Sequence, residues 1–245
     1  MTTLIEFSHV KKAFGKKRVF DDLSLTIEKG ETITVIGGSG TGKSVMLKCL
    51  IGLMYPDGGQ ILFDGTDVTT LSEFEFRDVR RRVAMVFQGA ALFDSLSVGE
   101  NIAYPLREQM PELGHEEIRK RVGRKLELVN LPGIENMKPS DLSGGMRKRV
   151  GLARAIATDP EVILWDEPTT GLDPISTRII DDLIVSMNRQ LGCTSIVVTH
   201  DMDSAFRVSD RMAMLSRRRI VETGTVPQMK ASKNPDVRAF FDARN

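Results

Sequence analysis

The segment GGSGTGKS at 37–44, here named the phosphate loop, has the residue types and spacing of a site for phosphate oxygens. It matches the pattern G-x-x-x-x-G-K-[ST], directly after an apolar run and before the helix-like VMLKCLIGL. Glycines let successive N–H groups turn toward phosphate oxygens, and the following helix adds the positive end of its dipole. We predict that Lys43 reaches the β and γ phosphates and that Ser44 binds Mg²⁺. The predicted contact positions are Gly37, Gly38, Ser39, Gly40, Thr41, Gly42, Lys43, Ser44 and Val45.

Two carboxylates follow a second apolar run, VILW at 162–165. Because Mg²⁺ prefers one or two carboxylates together with phosphate oxygens and water, Asp166 is predicted to hold the metal through water. Glu167 is then predicted to polarise or deprotonate the attacking water. Taken alone, the pair is equally compatible with a solvated turn before Pro168, but the phosphate loop favours a hydrolytic site.

Two more polar side chains come just after apolar runs. Gln88 follows VAMVF at 83–87, and its amide can bind a metal or water while donating elsewhere. His200 follows SIVV at 195–198, and an imidazole can donate to a γ-phosphate. A lone histidine is more often structural, but this position after a strand favours a functional role. The predicted catalytic groups are Glu167, His200, Gln88 and Lys43, and the predicted metal ligands are Ser44, Gln88 and Asp166.

The elements that must position these groups are short runs of β-branched and apolar residues. TITVI at 32–36 and the three runs above are typical of strands buried on both faces of a parallel sheet. In an open α/β sheet, ligands bind beyond the carboxyl ends of the strands. Since every candidate group follows such a run, we expect one active site at one edge of the sheet.

The remaining segments predict helices and a hairpin. HEEIRKRVGRKLELVNL places Ile118, Val122 and Val129 on one helical face, with Leu126 beside them, within a stretch interpreted as an inserted helical lobe. A helix over 175–191, a hairpin in MAMLSRRRIVETG and a closing helix in NPDVRAFFDARN are expected. We predict a single domain, 1–245, in which 1–88 and 161–245 form the core and β lobe and 89–160 form the helical subdomain.

Composition excludes several classes of protein. Lys and Arg total 34 against 33 Asp and Glu, a formal charge of +1, so the arginine clusters at 80–82 and 217–219 are interpreted as solvated faces rather than nucleic-acid sites. Cys49 and Cys193 are isolated, which indicates a reducing compartment and packing roles. The N-terminal stretch is too polar for a signal peptide, and no apolar run approaches the roughly 18 residues that span a bilayer. A cytosolic location is expected.

A second glycine-rich turn, LSGG at 142–145, precedes the helix-like MRKRVGLARAIATD. Ser143 suits an N-cap, and the following glycines leave N–H groups accessible to an anion. Met146, Val150, Ala153 and Ala157 share one face of this helix, and Asp159 before Pro160 is predicted to end it. Taken alone, the turn is better explained as an ordinary capped helix, since the chain offers no obvious second anion.

The phosphate loop, LSGGM and VILWDEP together resemble the ABC ATPase family over nearly the whole chain. The resemblance implies an α/β fold: a P-loop NTPase (RecA-like) core with an N-terminal antiparallel β subdomain and an inserted α-helical subdomain. It implies ATP and Mg²⁺ as cofactors and ATP hydrolysis as the reaction. In that family two copies pair head to tail, so Ser143, Gly144 and Gly145 are expected to bind the γ-phosphate held by a second copy. A homodimer is therefore implied.

The resemblance also assigns individual residues. Phe14 matches the aromatic that stacks on adenine, Gln88 the Q-loop glutamine, Asp173 in GLDP the D-loop aspartate and His200 the switch histidine. Such stacking is worth about 1–3 kcal/mol, although a core phenylalanine remains an alternative for Phe14. Two departures affect the subfamily but not the phosphate or metal contacts: Met146, where the family often has glutamine, and Gly171, where it often has alanine.

Within the family, a coupling helix of the permease docks in a groove beside the Q-loop, and the residues of that groove correspond here to 89–108. Leu92, Phe93, Leu96 and Tyr104 either form that surface or pack the helical lobe. This stretch, LSGGMRKRV and NPDVRAFFDARN resemble the Mla/Mce-type ATPases that energise lipid movement between bacterial membranes. The resemblance implies permease partners, an Mce-domain lipid-binding partner, no nucleic acid, and a cytoplasmic position on the inner face of the cell membrane.

Three alternatives stay open. A polar amino-acid or other small-solute importer shares the general scaffold. ABC ATPases that act on nucleic acid or ribosomes usually carry long coiled-coil insertions or two ATPase domains, for which 245 residues leave no room. A P-loop kinase would instead transfer phosphate to a small acceptor.

Overall fold

The computed structural model describes residues 2–242, which fold as two sheets surrounded by helices. The strands are β1 Thr3–Phe14, β2 Lys17–Glu28, β3 Thr32–Ile36, β4 Gly58–Phe63, β5 Thr66–Asp67, β6 Val83–Val86, β7 Val162–Asp166, β8 Thr194–Val198, β9 Arg211–Ser216 and β10 Arg219–Thr225. The helices are α1 Lys43–Leu50, α2 Phe76–Arg82, α3 Val98–Gln109, α4 His115–Leu128, α5 Gly144–Ala155, α6 Pro174–Leu191, α7 Met202–Val208, α8 Val226–Lys230 and α9 Pro235–Asp242. Short 3₁₀ turns occupy Val68–Thr70 and Pro139–Asp141.

The larger sheet contains the four strands predicted from apolar runs. Its order is β10-β9-β3-β8-β7-β6, with parallel pairing from β9 to β6 and an antiparallel β10 at the edge. Every residue of β3, β7 and β8 is buried, which explains their continuous apolar character. The predicted strands are confirmed to within a residue or two at their ends, and their carboxyl ends face one edge.

The smaller sheet is antiparallel and has the order β2-β1-β4-β5. Phe7, Phe20 and Ile61 from this sheet share one apolar core with α1, which is buried through Met46 and Leu47. The N-terminal antiparallel sheet implied by the family resemblance is thus present. It brings the β1–β2 hairpin beside the start of α1.

The helices α3, α4 and α5 pack together around a second core. Ile118, Val122, Leu126 and Val129 are buried there, as their spacing predicts, together with Trp165 of β7. Side chains of α6 complete the same cluster. Because this core joins the helical stretch to the larger sheet, the division at 88 and 160 stays a prediction.

Several predicted boundaries differ from the structure. The helix after Ser143 ends at Ala155 rather than at Asp159, although Ala157 is still buried. The hairpin is confirmed, and its turn places Arg217 and Arg218 at positive φ, 47° and 65°. The closing helix covers Pro235–Asp242, and the end of the segment predicted as helical, 243–245, lies outside the described residues. Within residues 2–242, no helix has both the length and the apolar character required to cross a bilayer.

Both cysteines are buried with free thiols, and burial raises the pKa of Cys49 to about 11. Their packing roles are therefore consistent with the prediction.

Asp181 on α6 is a buried carboxylate with incomplete hydrogen bonding. It is 3% exposed, Ser204 Oγ of α7 donates to its Oδ2 at 3.1 Å, and its Oδ1 has no partner among the described residues. Burial raises the pKa of Asp181 from 3.8 to about 6; nearby Asp201 and Asp182 add to the rise, whereas Ser204 and Arg207 oppose it. The contribution of the protonated Asp181 carboxyl to the free energy of unfolding is therefore fully present below pH 3.8. It is lost as pH rises through about 6.

Replacing Asp181 with Asn should raise the free energy of unfolding by about 1–3 kcal/mol at pH 8, because the variant avoids burying a charge. The gain should fall to roughly half at pH 5, where the carboxyl is mostly protonated. Urea unfolding at both pH values measures it. Asp182→Asn is the matched control, since Asp182 is exposed and pairs with Arg207. An equal gain at both pH values would contradict the assignment to charge burial.

Candidate functional site

The phosphate loop connects β3 to α1, and contacts from distant strands require its glycines. Gly42 has φ 107°, and a Cβ there would lie 2.4 Å from Val19 Cγ1 of β2. Gly37 has φ 158°, and a Cβ there would lie 2.5 Å from the carbonyl oxygen of Leu215 on β9. Gly42 caps α1 without a side-chain hydrogen bond, so the first N–H groups of the helix are open to an anion.

Lys43 lies across the loop and is 7% exposed. Its Nζ donates to the carbonyl oxygens of Gly37 and Gly38 at 2.9 and 3.1 Å. The same atom is 3.9 Å from Glu167 Oε1. The ammonium is therefore held between the phosphate loop and the end of β7. A phosphate group bound there would contact the ammonium and the loop N–H groups.

Ser44 and Asp166 meet at the start of α1. Ser44 Oγ donates to Asp166 Oδ1 at 2.5 Å, and Gln88 lines the cavity next to them. A hydroxyl, one carboxylate and an amide oxygen are hard donors, and Mg²⁺ uses such a set when phosphate oxygens and water supply the remaining positions. The residues present fit the metal, and their role as ligands stays a prediction.

Glu167 is fixed by groups from several elements. Its backbone has φ 51°, and its N–H donates to the carbonyl oxygen of Val198 on β8 at 2.9 Å. Its Oε2 accepts from Thr170 Oγ1 at 3.0 Å and lies 2.7 Å from His200 Nδ1. Since a carboxylate only accepts, Nδ1 is the donor in this pair. The imidazole is half exposed and lines the cavity, so it can orient Glu167.

These groups line one cavity of about 560 Å³, so the predicted convergence of strand ends is observed. Of the predicted phosphate-loop, metal and catalytic residues, Thr41 and Asp166 lie outside the lining: Thr41 Oγ1 donates to the Gly38 carbonyl oxygen at 2.9 Å, and Asp166 is buried behind Ser44. The lining residues are Phe14, Lys17, Val19, Gly37, Gly38, Ser39, Gly40, Gly42, Lys43, Ser44, Val45, Gln88, Glu167 and His200.

One end of the cavity is formed by the β1–β2 hairpin. Phe14 is 47% exposed there, so it is not a core phenylalanine. Lys17 pairs with Phe14 across the hairpin, and Val19 follows on β2. Lys17 and Val19 are not predictable from sequence motifs, because only the hairpin geometry brings them to the loop; the tight turn at Gly15 was the available signal. An aromatic face beside a lysine suits a purine base and its phosphates.

The segment Ser143–Gly145, here named the glycine turn, begins α5 on a different surface. Ser143 caps the helix by accepting from Met146 N at 3.2 Å, and both Ser143 and Gly144 are exposed. Asp173 caps α6 nearby, and a Cβ on Gly145 would lie 2.9 Å from Ser176 Oγ of that helix. None of these residues lines the cavity of its own chain. The structure therefore brings the glycine turn to Asp173 but not to the phosphate loop.

Comparison with known proteins agrees with this geometry. The sequence model of the ABC transporter family matches residues 20–170. The probable ribonucleotide transport ATP-binding protein mkl of Mycobacterium tuberculosis (strain ATCC 25618 / H37Rv) is 44% identical over 244 residues, which cover 100% of this chain and 68% of that protein. The intermembrane phospholipid transport system ATP-binding protein MlaF of Escherichia coli (strain K12) is 39% identical over 242 residues, covering 99% and 90%.

A solved structure has the same fold. It is described as the dimeric structure of a post-hydrolysis state of the ATP-binding cassette MJ0796 bound to ADP and Pi. It superposes with a TM-score of 0.84 at 32% identity, over 91% of this chain and 99% of that chain.

Proposed function

This chain belongs to the ABC transporter family and is an ATPase, and from this premise we propose that it powers phospholipid movement through a separate membrane permease. The observation that carries the proposal is the similarity to MlaF, named for intermembrane phospholipid transport, along almost the full length of both chains. The cavity supplies the ATP site. The permease and an Mce-domain lipid-binding partner supply the route for lipid, and the chain acts on the cytoplasmic face of the bacterial cell membrane.

Two copies of the chain form the working unit. MJ0796 is dimeric in its ADP and Pi state, and the glycine turn here is exposed away from its own phosphate loop. Ile175 lies beside Asp173 and is 76% exposed, an apolar side chain that a second copy would cover. In the head-to-tail pair, the glycine turn of each copy binds the γ-phosphate on the loop of the other.

The chain's own residues divide the chemistry as follows. The loop N–H groups and Lys43 bind the phosphates, and Phe14 stacks on the adenine. Ser44, Gln88 and Asp166 would hold Mg²⁺, which neutralises phosphate charge when bound. Glu167 orients the attacking water and takes up its proton. His200 fixes Glu167 by donating from Nδ1, and it donates from Nε2 to the γ-phosphate when both ring nitrogens carry protons. Asp173 lies at the surface where the second copy docks.

The permease is proposed to dock between β6 and α3. A cavity of about 260 Å³ lies there, lined in part by Phe87, Tyr104 and Arg154. Phe93 and Tyr104 are 39% and 41% exposed, and their rings meet edge to face at 5.1 Å. The Arg154 guanidinium lies 4.4 Å from the centre of the Phe93 ring. Because both aromatics are substantially exposed, packing of the helical lobe does not account for them fully.

A ribonucleotide is the second candidate substrate, because mkl, named for ribonucleotide transport, is 44% identical along the whole chain. A small polar solute and a phospholipid place opposite demands on a permease, since one needs a hydrated path and the other an apolar one. In the proposed complex the permease provides the path for either substrate, so the transport assay must discriminate between them.

The test uses the complex purified from detergent-solubilised membranes of the native host and reconstituted in proteoliposomes. We expect ATP to drive transfer of fluorescent phospholipid between vesicles, and a complex carrying Glu167→Gln to lose that transfer. Labelled ribonucleotide is offered to the same proteoliposomes. ATP-dependent ribonucleotide accumulation without lipid transfer would replace the phospholipid proposal by the solute alternative. Co-purification with nucleic acid and no membrane protein would overturn both.

A further inference from the structure

Lys148 on α5 is a partly buried lysine that none of the predicted roles uses. Its Nζ donates to the carbonyl oxygens of Pro168 and Thr170, at 2.9 and 2.6 Å. These two carbonyls belong to the turn that directly follows Glu167. The side chain therefore joins the first turns of α5 to the segment that carries the catalytic carboxylate.

The turn that Lys148 holds also contacts the Glu167 side chain. Thr170 N donates to the carbonyl oxygen of Glu167 at 3.3 Å, and Thr170 Oγ1 donates to Glu167 Oε2 at 3.0 Å. Thr170 thus accepts from Lys148 with its carbonyl and positions Glu167 with its hydroxyl. Because Glu167 has φ 51°, a conformation that L residues rarely adopt, surrounding contacts must hold it there.

Charge and burial make this contact costly to keep. Burial lowers the pKa of Lys148, and the nearby Glu167 carboxylate partly offsets that effect. Among the described residues, the ammonium donates to two carbonyl oxygens rather than to a carboxylate. A glutamine or leucine at this position would avoid the cost of desolvating a charge. Neither would place an ammonium between the two carbonyl oxygens of the turn.

A second contact joins the same two segments further along the chain. Gly145 approaches Ser176 so closely that a Cβ would lie 2.9 Å from Ser176 Oγ, and Ser176 Oγ donates to Asp173 Oδ2 at 2.6 Å. The start of α5 is therefore attached to the segment from Glu167 to Ser176 at two points. Because of these two contacts, a shift of the glycine turn would also move the segment from Glu167 to Ser176.

We propose that Lys148 is a positioning residue that couples the glycine turn to Glu167 of the same chain. This inference rests on the proposed dimer, in which the glycine turn binds the nucleotide of one site while Glu167 serves the other. When the glycine turn engages a γ-phosphate in the first site, Lys148 moves the 168–170 turn and sets Glu167 for hydrolysis in the second. The two ATP sites are linked through this lysine.

The test compares Lys148→Met with Lys148→Arg in the full-length chain. Lys148→Met should lower kcat roughly 10-fold or more, because Glu167 is no longer held, while the KM for ATP stays within about twofold. It should also lower the Hill coefficient for ATP toward about 1. Lys148→Arg keeps the charge and the donors, so it should recover kcat to within about threefold of the parent chain.

Two further variants separate positioning from stability. Lys125→Met is the matched control, because Lys125 is a buried lysine on α4 that pairs with Asp159; it should cost stability without lowering kcat. Thr170→Val removes the hydroxyl that contacts Glu167. Combined with Lys148→Met, it should add little further loss of kcat, since both substitutions act on Glu167 through the same turn. If Lys148→Met does not fold, Lys148→Gln replaces it with the same expected loss.

Failure of this inference is distinguishable from failure of the proposed dimer. If Lys148→Met keeps the parent kcat and Hill coefficient while Ser143→Arg abolishes turnover, the dimer stands and the lysine is not a positioning residue. If ATP produces no dimer of a Glu167→Gln chain on gel filtration, the dimer itself is wrong.

Discussion

Replacing Glu167 with Gln should lower the ATPase rate at least about 100-fold while ATP affinity stays within about twofold. Glutamine has almost the same shape and can still accept from Thr170, but it cannot take up a proton from water. Phosphate release measures turnover, and a fluorescent ATP analogue measures binding. Because ATP then persists in the cavity, the variant should also accumulate as an ATP-dependent dimer on gel filtration.

A matched control for this charge removal is Glu116→Gln. Glu116 lies at the start of α4, is exposed and pairs with Lys120. We expect no change in turnover or dimer formation from that substitution. Normal hydrolysis by the Glu167 variant would refute the role assigned to this carboxylate and would turn attention to His200, which lies 2.7 Å away.

Ser143→Arg should retain ATP binding at its own phosphate loop and lose at least about 100-fold in turnover, because a bulky cation would replace the hydroxyl that we propose contacts the partner's γ-phosphate. Loss of the helix cap costs about 1 kcal/mol, so the chain should remain folded. Phosphate release and nucleotide affinity, measured on the same preparation, separate these effects.

Mixing two inactive variants tests the shared site directly. Lys43→Ala should lose nucleotide affinity, since its ammonium lies across the phosphate loop. In a mixed pair, the loop of the Ser143→Arg chain meets the intact glycine turn of the Lys43→Ala chain, so one site of two works. An equal mixture should recover up to about a quarter of the parent activity, because half of the dimers are mixed. No recovery would have two explanations, either that each chain completes its own site or that Glu167 must be set by the glycine turn of its own chain. An ATP-dependent dimer of the Glu167→Gln chain would then favour the second.

A control for the added arginine is Thr225→Arg. Thr225 is the N-cap residue of α8. It does not line the cavity and is not part of the glycine turn. Its replacement should lower stability slightly without reducing turnover, which distinguishes loss of a helix cap from loss of a phosphate contact.

Motif spacing and apolar runs were sufficient to predict the phosphate loop, the strands of the larger sheet and the edge where they converge. These features depend on residues close together in the chain: a backbone that must turn at Gly42, and runs whose burial on both faces requires apolar residues. The family resemblance added the N-terminal antiparallel sheet. It also named Phe14, whose 47% exposure now excludes a core role.

Other features depend on contacts between segments that are far apart in the chain, and sequence patterns did not predict them. Lys17 and Val19 reach the cavity only because the β1–β2 hairpin folds over the start of α1. In the sequence Asp181 is one more polar position on a helix, yet in the fold it is buried beside α7, and burial raises its pKa to about 6. The end of α5 at Ala155 was missed because Asp159 and Pro160 provided a stronger local stop signal than Ile156.

The glycine turn has one feature that the local sequence predicts and others that only the packing of the helices determines. Its residue types predicted a capped helix start, and the structure contains that cap at Ser143. Three features depend on how α5, α6 and β7 pack: the glycine turn lies outside the cavity of its own chain, it approaches Ser176, and Lys148 donates to the turn after Glu167. Backbone preferences and hydrophobic periodicity act over a few neighbouring residues, whereas contacts between segments far apart in the chain arise only when the core closes.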